Sequence, residues 1–99
     1  MTKLATEFLP GAAAPTQGKV TVTTASTTLL PAKRRVYLLL QNNSTADIFI
    51  RLDGGTAVAD ATSFKLVAGG SLELTTYLSS TAVTGIVGSG TEDLTYLEA

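Results

Sequence analysis

Apolar and polar residues alternate with a period of two along most of this 99-residue chain, the spacing of strands that bury one face and wet the other. Val20-Thr-Val-Thr-Thr opens the pattern by setting β-branched apolar side chains against hydroxyls. Residues 27–30 follow as a second short strand, ended by Pro31, which has no N–H to give to a ladder. Arg35-Val-Tyr-Leu-Leu-Leu-Gln is then almost continuously apolar, as a central strand covered on both faces would be. It is the expected middle of the core. Asn42-Asn-Ser-Thr marks a turn, because Asn tolerates positive φ and short polar side chains bond their own backbone. Residues 46–52 alternate again with Ile48, Ile50 and Leu52 on one face, so 35–41 and 46–52 are expected to pair as an antiparallel hairpin.

Asp53-Gly-Gly is the next turn signal, and residues 56–63, small and polar, read as a loop or a short edge strand. Residues 64–67 and 71–77 alternate on either side of Ala68-Gly-Gly and predict a further hairpin. Residues 82–87 and 93–97 flank Gly88-Ser-Gly and predict a last pair. About eight short strands with Gly or Asn punctuation point to an all-β fold, a small antiparallel β-sandwich or jelly-roll-like barrel. Helix is disfavoured throughout. The one window to consider, residues 56–61, is too short and too rich in Thr and Asp to nucleate a helix well.

Residues 1–18 show neither period and hold two of the three prolines, so they read as an extended N-terminal arm ahead of a domain spanning 19–99. Two states of such an arm are open: a flexible terminus, or a segment that orders against a partner. The longest apolar run, residues 36–40, is far short of the roughly 20 residues that span a bilayer. No membrane association is expected. Glu7 and Pro10 interrupt what would be the apolar region of a signal peptide.

Composition narrows the chemistry. The chain has no His, Cys or Trp, which removes imidazole bases and ligands, thiolates and disulfides, and every triad built on His. Seven Lys and Arg against eight Asp and Glu leave a net charge of −1, so no global field draws the chain to nucleic acid. The carboxylates all lie beside turns or at polar strand positions. Asp53 and Asp60 could offer oxygens to calcium, but their spacing matches no calcium loop. No serine stands in a Gly-x-Ser-x-Gly turn, and Gly88-Ser-Gly lacks the Lys and the helix of a phosphate loop. No catalytic residue, cofactor or metal is therefore expected. Seventeen Thr, many at alternating positions such as Thr21, Thr75, Thr84 and Thr95, suit the solvent face of a pleated sheet. Lys33-Arg-Arg is the only dense basic cluster, and it stands just before the strongest strand.

The run Arg35-Val-Tyr-Leu-Leu-Leu-Gln-Asn-Asn-Ser-Thr-Ala-Asp-Ile-Phe-Ile-Arg-Leu, with Ala68-Gly-Gly-Ser-Leu-Glu-Leu and Val83-Thr-Gly-Ile-Val-Gly-Ser-Gly-Thr after it, resembles small virion proteins of tailed bacteriophages that decorate, cement or carry fibres on the head. The likeness spans residues 19–98 and is one of construction, without catalytic residues to carry over. It implies a compact β-sandwich or jelly roll, made in the host cytoplasm and seated on the capsid surface, with the major capsid protein as partner. It also implies a homo-oligomer, with a trimer favoured, and an arm that reaches a neighbour. The residues expected at such contacts are Phe8, Leu9 and Pro10, apolar groups in an arm that has no core of its own, followed by Lys33, Arg34 and Arg35. The alternative is a carbohydrate-binding or adhesion module of a phage tail or fibre, presenting Tyr37, Tyr77 and Tyr96 as a sugar platform.

Overall fold

In the computed structural model, which describes residues 14–75 and 80–99, the alternating segments become eight strands. They are β1 (Thr16–Val22), β2 (Thr27–Leu30), β3 (Leu38–Gln41), β4 (Ile48–Arg51), β5 (Phe64–Leu66), β6 (Ser71–Leu74), β7 (Val83–Val87) and β8 (Glu92–Glu98). β1 takes in Thr16, Gln17 and Gly18 from the segment read as arm. Residues 56–63 form no strand, and no helix long and apolar enough to cross a membrane occurs among the described residues.

The strands form two antiparallel four-stranded sheets, ordered β1-β8-β3-β6 and β2-β7-β4-β5. This is the strand order of a jelly roll, two Greek keys folded over each other. The barrel expectation is corrected in one respect. Closure would need ladders joining β1 to β2 and β5 to β6, and neither pair is hydrogen-bonded as a ladder, so the molecule is a two-sheet sandwich with four edge strands. The chain turns at residues 23–26 and 67–70 where a barrel would carry its strands round the corner.

The three expected hairpins are also corrected. β3 and β4 lie in different sheets, as do β5 and β6, and β7 and β8. Every connection except that between β4 and β5 changes sheet. Period-two alternation says that one face of a strand is buried, and both sheets of a sandwich meet that condition equally. The pattern therefore locates strands without saying which sheet receives them.

Between the sheets lies one core. Val22, Leu38, Leu40 and Leu94 face it from the first sheet, and Leu29, Leu30, Ile48, Ile50, Leu66, Val83 and Val87 from the second. β3 is central, between β8 and β6, yet its outer face is not covered: Leu39 is half-buried and Gln41 is exposed. In β2 the register slips between Thr28 and Leu30, and this irregularity turns the consecutive residues Leu29 and Leu30 both inward. Leu29 lies across Gly85 so closely that a Cβ there would stand 2.6 Å from its Cδ1. Only glycine fits at that position of β7 without moving the leucine.

Register sorts the connections into two groups. Residues 23–26, 42–47, 67–70 and 88–91 make short turns at one end of the sandwich. At the other end, where β1 begins and β8 finishes, residues 31–37 and 52–63 make longer connections, β6 finishes and β7 begins.

The short-turn end is tied by Asn42, which is fully buried. Its Nδ2 donates to the carbonyls of Ala46 and Leu66 at 2.7 and 2.8 Å. Its Oδ1 accepts from the backbone N–H and the hydroxyl of Ser44 at 3.0 and 2.6 Å. Its own N–H donates to Gly70 O and its carbonyl accepts from Gly69 N, both at 2.8 Å. One side chain thus holds the β3–β4 crossing against the end of β5, while its backbone holds the β5–β6 turn, where Gly69 supplies a φ of 79°. Asn42→Ala should cost about 3 kcal/mol or more in urea unfolding, because two carbonyls lose their donor in a buried site. Asn43→Ala next to it, exposed, should cost under about 1 kcal/mol.

Candidate functional site: the long-loop end

The basic cluster splits on folding. Lys33 and Arg34 are exposed at the long-loop end, whereas Arg35 turns inward and its side chain is fully buried. Arg35 Nε donates to Glu98 Oε1 at 2.8 Å, Nη2 to the Pro31 carbonyl at 2.8 Å and Nη1 to the Thr81 carbonyl at 3.1 Å. Lys33 Nζ stands 3.5 Å from Glu98 Oε2. The guanidinium fork suits this role, since its donors diverge in one plane and can hold three chain segments at once. Beside it the chain end extends the β3–β8 ladder: Val36 and Tyr37 N–H both donate to Ala99 O, at 2.7 and 3.1 Å, and Ala99 N donates back to Tyr37 O at 3.0 Å. Of the three basic residues expected at a partner contact, two face solvent and the third holds their loop in place.

The base of the arm, Ala14 to Thr16, lies at the same end. A cleft of 260 Å³ is lined by Ala14, Thr16, Lys33, Arg34, Val36 and Ala99, with the Arg35–Glu98 pair alongside. The base of the arm and the exposed basic residues, distant in sequence, therefore share one opening. Phe8, Leu9 and Pro10 lie outside the described residues.

A second opening at this end, a cavity of 440 Å³, borders Ile50, Leu52, Phe64, Thr62 and the paired side chains Arg51 and Asp53. Arg51 meets Asp53 through two contacts, Nε to Oδ1 at 2.8 Å and Nη2 to Oδ2 at 3.1 Å. The Arg51 hydrogen bonds, helped by the Gly55 N–H at 2.9 Å, hold the Asp53 carboxyl down at about 2. The 52–63 connection then folds back over the second sheet, held by Thr81 Oγ1 to Leu52 O at 2.6 Å and Thr84 Oγ1 to Gly55 O at 2.7 Å. Ala57 N–H reaches Ser26 Oγ at 2.8 Å.

The acids do not converge. Asp60 is engaged by the Thr62 N–H and hydroxyl at 2.8 and 2.6 Å, which lower its pKa, and Asp53 belongs to Arg51. Among the described residues no three His, Cys, Asp or Glu side chains are placed to hold one metal ion. Nor do the two described tyrosines, Tyr37 and Tyr96, converge. Tyr37 lies on the outer face of the first sheet and donates to Glu73 Oε2 at 2.7 Å, a bond that raises its pKa. Tyr96, paired with inward-facing Leu40, packs against the core and closes over Gly18, while Tyr77 lies outside the described residues.

No protein-family model, curated protein or solved structure matches this chain.

Sequence reasoning missed Glu98, Asn42 and Phe64 as residues of consequence. Glu98 lies just past the expected last strand, 93–97, and carries no signal of its burial, and the alternation of residues 64–67 does not say that Phe64 is exposed while Leu66 is buried. Arg35→Ala should destabilise by about 3–5 kcal/mol, since it strands the buried Glu98 carboxylate, and Arg35→Met with Glu98→Met should recover most of that loss in a double-mutant cycle. The Asp53 pair contributes fully above the ordinary carboxyl range near pH 4 and fades as pH falls through about 2. Asp53→Asn should therefore lower the thermal midpoint at pH 7 and not at pH 2.

Proposed function

We propose that the chain is a structural subunit of a tailed-bacteriophage virion, docking on the capsid surface as a decoration or cement protein. The observation that carries this reading is the gathering of Ala14 and Thr16 at the base of the arm with Lys33 and Arg34 around one cleft at one end of a small jelly roll, with short turns at the other. A rigid sandwich with one elaborated end is suited to standing on a lattice, loaded end down. The resemblance of residues 19–98 to small virion proteins supplies the lattice's identity.

In this mechanism the subunit acts by burying surface. Docking bridges adjacent coat proteins, and a specific interface of about 1,200–2,000 Å² in total adds binding free energy that opposes the outward pressure of packaged DNA. Lys33 and Arg34 steer the approach and meet acidic groups at the rim, while Arg35 keeps their loop in shape. Phe8, Leu9 and Pro10 reach a neighbouring subunit. A trimer is the favoured assembly. The glycan-binding alternative draws less support, because Tyr37 and Tyr96 face opposite sides of one sheet.

Mass spectrometry of purified particles tests the proposal directly: the chain should be a stoichiometric component, and its absence from particles sinks the reading. Arg34→Glu should reduce occupancy several-fold at low salt, by slowing and weakening docking, while leaving the unfolding free energy of the free protein, read from urea unfolding, within about 1 kcal/mol of the parent.

A further inference from the structure

Of the four edge strands, β1 alone offers a long unbroken edge. β2 slips register, β5 has 3 residues with Lys65 in the middle, and β6 has 4. β1 keeps register with β8 over all 7 of its residues and holds no proline. The phase of the ladder says which backbone groups stand on its outer edge. Tyr37 and Ala99 exchange N–H to O bonds, so alternate residues of β8 turn the other way: Glu98, Tyr96, Leu94 and Glu92 bond toward Thr16, Gly18, Val20 and Val22. The N–H and C=O groups of Gln17, Lys19 and Thr21 therefore point away from the sheet, and no strand among the described residues takes them up. An edge of this kind invites another strand, and a charge is a common deterrent. Here the deterrent is muted, because Lys19 Nζ lies 3.4 Å from Asp93 Oδ2.

We propose that β1 pairs antiparallel with β1 of a second copy of the chain, with Gly18 facing Gly18 across a two-fold axis. A self-pair has to match outward groups with outward groups, so only Gln17, Lys19, Thr21 and their odd-numbered neighbours can exchange bonds. Three registers satisfy this near the middle of the strand. Lys19 opposite Lys19 sets like charges face to face. Lys19 opposite Thr21 brings Gln17 against Thr23, whose carbonyl is already taken by the Val87 N–H at 3.0 Å. With Gly18 on the axis, Gln17 stands opposite Lys19, Thr16 opposite Val20, and Thr21 opposite Pro15, which accepts but has no N–H to donate and so ends the ladder. About six bonds then join the copies. A second observation favours this register. Tyr96 crosses Gly18 so closely that a Cβ there would stand 3.1 Å from its hydroxyl oxygen, and that hydroxyl has no partner among the described residues. Facing residues of a pair without hydrogen bonds lie about 4.5 Å apart at Cα, so the two hydroxyls meet at the axis and each offers the other the partner it lacks. The contact is isologous and joins copies in pairs, so it adds to a three-fold assembly rather than building one. It goes beyond the capsid reading and does not depend on it.

The chain holds no cysteine, so introduced thiols report the register without background. Hydrogen-bonded partners across a ladder lie about 5.5 Å apart at Cα, within disulfide range, whereas diagonal neighbours lie about 7–8 Å apart. A Gln17→Cys chain is mixed at millimolar concentration with a Lys19→Cys chain carrying a larger tag, under mild oxidation. The mixed disulfide should form several-fold faster than either variant links to itself, and faster than Ser71→Cys, exposed on the β6 edge, links to itself. In the parent protein, hydrogen exchange of the Gln17, Lys19 and Thr21 amides should slow as concentration rises, while that of the Gly18 and Val20 amides, already bonded to β8, stays constant. Lys19→Pro, which removes an outward N–H at a position where an edge strand accepts proline, should abolish that concentration dependence at the Gln17 and Thr21 amides, and Tyr96→Phe should weaken it. Three results would overturn the pairing: no mixed disulfide above the Ser71→Cys control, a Lys19→Cys self-disulfide that outpaces the mixed one, or outward amides indifferent to concentration. None of these reads particle occupancy, which tests the capsid reading separately.

Discussion

Backbone polar groups must keep partners wherever the chain leaves one sheet for the other, and this constraint governs the molecule. Every connection but one changes sheet, so the ladder is broken again and again at places drawn close to the core. An unpaired buried N–H or C=O costs about 1–3 kcal/mol, and a small domain cannot carry many. The difficulty is sharpest around β3, a central strand entered and left by crossings. Its two ends carry buried polar residues: Arg35, whose donors reach Pro31, Thr81 and Glu98, and Asn42, whose amide serves Ala46, Leu66 and Ser44. Between these two fastenings the apolar side chains of Leu38 and Leu40 have a fixed position from which to fill the core.

The same fastenings divide the molecule functionally. At the short-turn end Asn42 draws two crossings into one compact knot. At the other end Arg35 ties the 31–37 connection, the Thr81 segment and β8 together, and so presents Lys33, Arg34 and the base of the arm on one side. A buried ion pair is a weak source of stability compared with apolar packing, but it is demanding in geometry. Here that geometry orients a loop with exposed charges, which links the core's polar chemistry to the surface proposed to meet a partner.

Threonine shows how far the alternating pattern could be read. Thr21 and Thr75 sit on the wet outer face of the first sheet, as their place in the pattern implied. Thr84 was read the same way and is buried, because the 52–63 connection folds back over the second sheet and its Gly55 carbonyl takes the Thr84 hydroxyl. Thr81 and Thr62 likewise spend their hydroxyls on loop fastening. A long connection that returns across its own sheet leaves no periodic trace, so the burial it imposes could not be seen in the residues it covers. Phe64 is the converse case, a residue on the buried phase of its strand that the end of the sheet leaves bare.

The sequence by itself, through its period-two alternation, was enough to find about eight strands, their approximate limits and most of the apolar residues that face the core, because alternation records burial along each strand. It also determined the absence of His and Cys chemistry, a matter of inventory. Tertiary structure alone decided which strands pair, that three apparent hairpins are crossings, and that one arginine of a basic triplet belongs to the interior. The physical reason is that alternation is a local property of one strand. Pairing, crossing and the fate of a charge depend on contacts between segments far apart in the chain, as Arg35 and Glu98 are.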